Sequence, residues 1–364
     1  MKILHVITSL YTGGAEHLLV DLLPLLKDNG KNQVDLLLIN GVETSFKKAI
    51  QQKGIQVYSL SMTNDVYNPR NILRMRKHLQ NYDIIHTHNT ACQLFVPLAR
   101  LFAKSPAILV TTEHSSSNRR RDRKWMKPLD SWMYNQYKAI ICIADKPRQN
   151  LETYIGKKSS LLTINNGVDI KRFVRPIKDI QGQKEFVITM VAGIRVEKDH
   201  KTLLKSLTHL PDSYRLQIVG GGERENREQV KSICHDLGLD DRVDFMGVRQ
   251  DVPEILESSD ILVLSSHWEG LSLSSIEGMA SGRPFIASDV DGLREIVGGA
   301  GALFPHGDDQ ELATQIQYLC ENPDEYKAVA QRCQERARQY DISSMAANYL
   351  KLYKELLSGK PVLG

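Results

Sequence analysis

Short apolar runs, each leading through a loop into a helix-length amphipathic stretch, recur along this chain in two successive series. In the first series, residues 3–7, 33–39, 57–60, 84–88, 107–112 and 139–143 read as strands. In the second they are residues 186–191, 214–219, 243–246, 261–264 and 284–287. Runs without polar alternation are buried on both faces, as parallel strands are when crossover helices cover the sheet. Strand and helix alternating this persistently predict an α/β fold with a doubly wound parallel sheet, formed twice. The first domain is expected over residues 1–174, a polar linker over 175–184 and the second domain over 185–342. A last helix is expected from about 343 to 357. Two such domains facing each other would make a cleft able to exclude water from a two-substrate transfer.

Length and composition agree with two cores, since 364 residues at 41% hydrophobic content make two domains of ordinary size. A net charge of only +4 supplies no general affinity for nucleic acid or membranes. The five cysteines, Cys92, Cys142, Cys234, Cys320 and Cys333, fall at no metal-ligand spacing and are expected to be reduced and structural. The sequence opens directly on a strand, and no apolar run approaches the roughly 20 residues of a membrane helix. A cytoplasmic chain is the expectation.

Residues 269–277 read Glu-Gly-Leu-Ser-Leu-Ser-Ser-Ile-Glu, with two carboxylates eight residues apart where strand 261–264 gives way to a helix. The helix is expected from about Ser272 to a glycine stop at Gly282. Glu269 then lies in the loop at the carboxyl end of the strand, and Glu277 about one and a half turns into the helix. Ligands of open parallel sheets bind at that end, where the unpaired N–H groups of Gly270, Leu271 and Ser272 would face an anion. A diphosphate suits those amides, while the two carboxylates suit the hydroxyls of a ribose and of a sugar. By spacing alone the pair also reads as a solvated loop residue and an exposed helix face.

Arg195 and Lys198 follow the first strand of the second series. There they would neutralise a departing diphosphate, or else stand as surface charges on a loop. Gly13 and Gly14 occupy the first strand-to-helix turn, where a backbone can approach a ligand closely or simply turn tightly. They lack the three-glycine spacing of a dinucleotide site. Gly220, Gly221 and Gly222 end another strand and allow the same two readings.

The motif at 269–277 is followed by Gly-Met-Ala-Ser-Gly-Arg-Pro at 278–284, Ala-Ser-Asp-Val-Asp-Gly at 287–292 and Glu295-Ile-Val297. Upstream stand Gly13-Gly-Ala-Glu16, Asn166-Gly-Val-Asp169 with Phe173, and Arg195-Val-Glu-Lys198. In this order, over residues 1 to about 353, the set resembles glycosyltransferase family 4, whose marker is E-x7-E. The resemblance implies a GT-B fold of two facing Rossmann-like domains with a deep interdomain cleft. The N-terminal domain would be the acceptor domain, the C-terminal one would hold the nucleotide-sugar donor, and residues 343–364 would cross back to the first. It implies catalytic roles for His114, Glu269, Lys198 and Arg195. Donor contacts are implied for Gly13, Gly14, Gly270, Leu271, Ser272, Glu277, Gly221, Arg249 and Glu295. His114 closes a strand and matches a histidine the family places in the cleft beside the donor sugar, whereas His86 reads as core and His88 as a further cleft residue. Arg249 would flank the base, and Glu295 would sit near the donor or serve only as a helix N-terminal carboxylate.

Residues 118–127 carry six basic side chains against one acidic, and Trp125, Leu129, Trp132, Met133 and Tyr137 recur at helical steps. Such a segment suits an anionic membrane surface or a lipid diphosphate acceptor, and equally a solvated loop beside a core-facing helix. The expected activity is retaining transfer of a hexosyl unit from a UDP-sugar or GDP-sugar to a glycan or lipid-diphosphate-linked acceptor. Bacterial surface polysaccharide or glycoconjugate assembly is the expected pathway, at the inner face of the cell membrane. No obligatory metal or other cofactor and no nucleic-acid partner is expected. A nucleotide-sugar epimerase of similar fold and a non-catalytic sugar-nucleotide scaffold are the alternatives.

Overall fold

The computed structural model describes residues 1–11, 13–114, 121, 123–158 and 160–360. They form two compact units, one of Met1–Gly167 with Ile342–Gly364 and one of Val168–Asp341. The first unit holds β1 (Lys2–Ile7), β2 (Gln33–Asn40), β3 (Gln56–Ser61), β4 (Ile84–His88), β5 (Ile108–Glu113), β6 (Ala139–Cys142) and β7 (Leu161–Thr163). All pair in parallel, in the order β3-β2-β1-β4-β5-β6-β7. The second holds β8 (Phe186–Val191), β9 (Tyr214–Val219), β10 (Val243–Gly247), β11 (Ile261–Leu264), β12 (Phe285–Ser288) and β13 (Ala302–Phe304). Its sheet is also parallel, ordered β10-β9-β8-β11-β12-β13.

The strand order of each sheet reverses once, between β1 and β4 and between β8 and β11. Helices leave opposite faces on either side of such a reversal and open a crevice at the carboxyl ends of the two strands. Any ligand site of either unit is therefore expected after β1 and β4, or after β8 and β11.

Every expected strand is present within one residue at each end, and β7 and β13 are additional. The helix Ile342–Leu357 belongs to the first unit, where Met345, Tyr349, Leu352 and Tyr353 bury with Leu18, Leu19 and Leu22 of the helix Gly14–Leu26. The polar stretch 175–184 lies wholly within the second unit, as does 168–174 before it. Val168, Ile170, Phe173 and Ile180 enter that core, and the buried Arg283 donates to the carbonyl of Pro176 at 3.1 Å. The chain enters the second unit at Val168 and leaves it at Asp341, two residues that pair as a β-bridge. All five cysteines are free and buried. No described helix is long and apolar enough to cross a membrane.

Candidate functional site

In the second unit the chain leaves β8 through Ala192–Arg195 and makes a short turn, Val196–Lys198. Asp199, in the left-handed region at φ 46°, then caps the helix His200–Thr208 by accepting from the Thr202 amide at 3.2 Å. That cap fixes where Lys198 points. The loop after β11 is tied to it: Ser265 Oγ donates to the carbonyl of Asp199 at 2.9 Å, and the His267 amide to that of Glu197 at 2.8 Å. Between these anchors Lys198 Nζ contacts Glu269 Oε1, and Ser266 Oγ donates to the same oxygen at 2.7 Å. With side chains 18% and 11% exposed, the pair is shielded enough to be more than a surface ion pair. Ser272 then accepts from the Ser275 amide at 3.3 Å and caps the helix Leu273–Ala280, on which Glu277 is half-buried.

The glycines near this loop have a packing reason. Gly292, at φ +83°, stands so close that a Cβ would lie 2.1 Å from the Gly270 carbonyl oxygen. Gly220, at φ +149°, would place one 1.9 Å from the Ala192 carbonyl oxygen, and Gly222 2.3 Å from that of Ile194. Gly221 accepts from the Ile194 amide at 2.7 Å. The Gly220–Gly222 run is thus neither a loose turn nor an open cradle; it packs on the loop that carries Arg195. Beside it lies a cavity of about 260 Å³ lined by Gly220, Phe245, Arg224, Arg227 and Lys231.

In the first unit, His114 follows β5 and lines a cavity of about 310 Å³ with Thr8, Asn89, Gln93, Thr112 and Glu113. Thr8 and Asn89 directly follow β1 and β4, so this cavity opens at the strand-order reversal. Its lining is polar, and the buried Glu113 accepts from Arg121 Nη2 at 2.7 Å, Tyr134 OH at 2.6 Å and Gln93 Nε2 at 2.6 Å. His114 Nε2 lies 2.9 Å from His88 Nδ1, and burial lowers its pKa to about 4, so the ring is neutral. Gly13 caps the helix Gly14–Leu26 in extended conformation, and a Cβ on Gly14 would meet open space.

Residues 12–172 match the family model described as Glycosyltransferase Family 4, and residues 172–340 that described as Glycosyl transferases group 1. The chain belongs to glycosyltransferase family 4. It is 28% identical to the UDP-Gal:alpha-D-GlcNAc-diphosphoundecaprenol alpha-1,3-galactosyltransferase of Escherichia coli, over 64% of each chain. Over 98% of this chain and 99% of the relative it is 23% identical to a Campylobacter jejuni enzyme. That enzyme is the GalNAc-alpha-(1->4)-GalNAc-alpha-(1->3)-diNAcBac-PP-undecaprenol alpha-1,4-N-acetyl-D-galactosaminyltransferase. The crystal structure of Anabaena Alr3699/HepE in complex with UDP and glucose covers 98% of this chain and 100% of its own. Its TM-score of 0.85 at 22% identity places the chain in the same GT-B fold class.

Within this family 4 glycosyltransferase the structure brings together Lys198, Glu269, Gly270, Leu271 and Ser272, with Glu277 on the helix they lead into. Arg195 stands apart, its side chain 64% exposed and its nearest acid Glu197 at 3.7 Å. Arg249 is exposed and held by both carboxylate oxygens of Asp251, at 2.8 and 2.5 Å, a pairing that raises its pKa. Glu295 is an exposed residue in the first turn of the helix Leu293–Val297. His88, expected as a cleft residue, is fully buried and reaches the cavity only through His114; His86 is core as expected. Residues 118–120 and 122 of the basic segment 118–127 lie outside the described residues. Arg121, which is described, turns inward to Glu113, while Met133 and Tyr134 bury the inner face of the helix Lys127–Asn135.

Arg224, Arg227 and Lys231 were not anticipated. Their three- and four-residue spacing on one helix was the available signal, and it is the same spacing a solvated face shows. Among the described residues two groups could be asked whether they hold a metal: His5, His86 and His88, and Asp199, His267 and His306. In the first, His86 has both ring nitrogens engaged and His5 and His88 bond each other; in the second, Asp199 already serves as a helix cap.

Proposed function

We propose that this protein transfers a hexosyl unit from a nucleoside diphosphate sugar, with retention, to a glycan or lipid-diphosphate-linked acceptor in bacterial surface glycan assembly. The observation that carries the reading is Glu269, held by Lys198 and Ser266 after β11 and followed at once by the capped helix bearing Glu277. Breaking a sugar–phosphate bond puts negative charge on the departing oxygen. Lys198 and the amides of Gly270, Leu271 and Ser272 offset that charge, with Arg195 as the second cation. Glu269 and Glu277 accept hydroxyls of the donor, and Gly221 and Arg249 border its base. In the first unit, His114 offers a ring nitrogen to a sugar hydroxyl. Leaving-group charge is met by cations and helix amides, so no divalent ion is required.

The Escherichia coli relative supports a UDP-linked donor and a lipid-diphosphate acceptor, since its name carries both. An acceptor of that kind brings the protein to the inner face of the cell membrane.

The test is a thermal-shift series with UDP, GDP, ADP, dTDP and CMP, followed by turnover with the selected sugar conjugate. A ligand at about 100 times its Kd adds about 2.7 kcal/mol of stability. Glu277→Ala should abolish the selective shift. Lys198→Ala should keep it while slowing transfer on the order of 10²-fold. NMR of the product should show the donor's anomeric configuration, and EDTA should leave the rate unchanged. Inversion, or chelator-sensitive turnover, would overturn the mechanism; no shift with any nucleotide would overturn the donor assignment.

A further inference from the structure

Charge is distributed unevenly along the chain. Between residues 66 and 112 stand six Lys and Arg, and Asp83 is the sole acidic residue. Five of the six cations are exposed: Arg70 and Arg74 on the helix Arg70–Met75, Arg76 and Lys77 on the turn Arg76–His78 that continues it, and Lys104 after the helix Thr90–Ala103. None of the five is paired with a carboxylate among the described residues. The sixth, Arg100, donates from Nε to the Ser105 carbonyl at 3.2 Å. A net charge of only +4 over the whole chain therefore coexists with a strongly basic local surface.

The two helices end side by side. Ser105 Oγ donates to the Leu79 carbonyl at 2.7 Å, and Met75 and Leu79 enter the core that also holds Ala99 and Ala103. The same ends expose apolar side chains, with Leu73 61%, Leu101 64% and Phe102 59% accessible. A scattered apolar residue on a surface needs no explanation. Three of them on the neighbouring ends of two helices, among unpaired cations, make a surface suited to a partner that is both anionic and apolar.

We propose that this face, residues 73–77 with 101–104, docks on an anionic lipid bilayer, with its cations at the headgroup phosphates and Leu73, Leu101 and Phe102 at the boundary with the acyl chains. The inference deepens the proposed function, because a lipid-diphosphate acceptor requires an encounter with the membrane, and it names the surface that makes the encounter. Both helices start at the cavity of the first unit, which Tyr67 lines just before the first helix and Thr90 and Ala91 line in the first turn of the second. At ~1.5 Å per residue, Leu101 lies about 15 Å along its helix from Ala91. Nucleic acid or an acidic protein would engage the cations and leave the apolar trio unused. The basic segment 118–127 is less suited to the role, since Arg121 turns inward to Glu113 and Lys127 stands over the Tyr154 ring at 5.9 Å.

The experiment is co-sedimentation of the full-length protein with vesicles of phosphatidylcholine, alone and mixed with phosphatidylglycerol. Binding is expected to the mixed vesicles only. It should weaken as salt rises from about 0.1 M to about 1 M and the screening length shrinks from about 10 to about 3 Å. Arg74→Gln with Lys77→Gln should lower affinity about 25-fold, at roughly fivefold per cation. Leu101→Ser with Phe102→Ser should lower it about tenfold or more. All four side chains are on the surface. Circular dichroism confirms that the variants fold, and Leu73→Ser and Lys104→Gln read the same face should either pair fail to. No binding to the mixed vesicles, or unchanged affinity in both pairs, would overturn the proposal. Loss in the charge pair alone would mark a site for a polyanion and not a bilayer. Loss in Trp125→Ala with both pairs unchanged would move the contact to the segment 118–127 and overturn it equally. The vesicles carry neither donor nor acceptor, so absent binding leaves the transfer reading intact, and absent transfer leaves the binding interpretable.

Discussion

At Gly292 the absence of a methyl group decides where Glu269 stands. The left-handed backbone there is open to glycine, and any Cβ would drive into the carbonyl oxygens of Gly270 and Glu269, at 2.1 and 2.8 Å. Gly292→Ala therefore has two effects, backbone strain and displacement of the loop that presents Glu269 to Lys198. We expect a stability loss of roughly 1–3 kcal/mol and a clear weakening of nucleotide binding. Gly238→Ala separates the two, since Gly238 is also left-handed, at φ +69°, but has nothing within 4 Å of a Cβ. It should cost about 1 kcal/mol and leave nucleotide affinity unchanged by calorimetric titration. Equal loss of affinity in both variants would show that Gly292 acts through general stability and not through Glu269. In the sequence the Glu269–Glu277 motif was legible because it is local, eight residues long, and attached to a recognisable strand. The hydrogen bonds of His88 to His5 and His114 were not, because they join single residues of two strands and the residue after a third, up to 109 positions apart, and no spacing rule joins them.

The same distinction between local and distant determinants holds for whole elements. Stretches of four or more residues with recurring apolar side chains marked every interior strand, whereas β7 and β13, of three residues each at sheet edges, are too short to show a period. The stretch 175–184 reads as a linker because six of its ten residues carry charged or amide side chains. Its structure comes from elsewhere in the chain. The Arg283 guanidinium, almost fully buried, donates to the carbonyls of Pro176 at 3.1 Å, Ser281 at 2.7 Å and Ser259 at 3.4 Å, and contacts that of Glu257. Lys178 pairs with Asp260 at 2.6 Å, and the Lys178 amide donates to the Gly282 carbonyl at 3.2 Å. Replacing Arg283 by Met keeps much of the volume but leaves these carbonyls without a donor, at roughly 2–3 kcal/mol. Because the bonds tie down one segment, the loss should be local first: trypsin should cut after Lys178 and Lys184 faster in Arg283→Met, before global unfolding. Cleavage at the unaltered rate would mean that Ile180 and Phe173 hold the segment through packing alone.

Across the whole molecule, buried neutral histidines are distributed unevenly. His5, His86, His88 and His114 belong to the first unit, and His200 to the second. Burial is the first cause of each lowered pKa, to about 3 for His5 and about 4 for His114 and His200. A histidine whose folded pKa lies below its unfolded value stays uncharged in the fold while the unfolded chain takes up the proton. Its contribution is complete above about pH 6.5 and is lost progressively as the pH falls towards its folded pKa, at ~1.4 kcal/mol per pH unit for each such group. Between pH 6.5 and 5 that is about 2 kcal/mol for one histidine. The first unit bears it on a four-ring cluster and the second on a single ring. Acidification should therefore unfold the first unit first, and the two-unit division makes this directly visible. Hydrogen exchange followed by mass spectrometry at pH 7.5 and pH 5 should show amide protection falling in β1, β4 and β5 while β8 and β11 keep theirs. Simultaneous loss in both sheets would mean that the units unfold as one cooperative body. Greater loss in β8 and β11 would mean that carboxylates of the second unit, and not the histidine cluster, govern acid stability. Replacing His86 by Phe distinguishes these outcomes further: it removes one titrating ring from the cluster without touching the hydrogen-bonded chain from His5 to His114. It should flatten the pH dependence of the first unit alone, even though the lost bonds to Thr112 and Tyr353 lower its stability at pH 7.5.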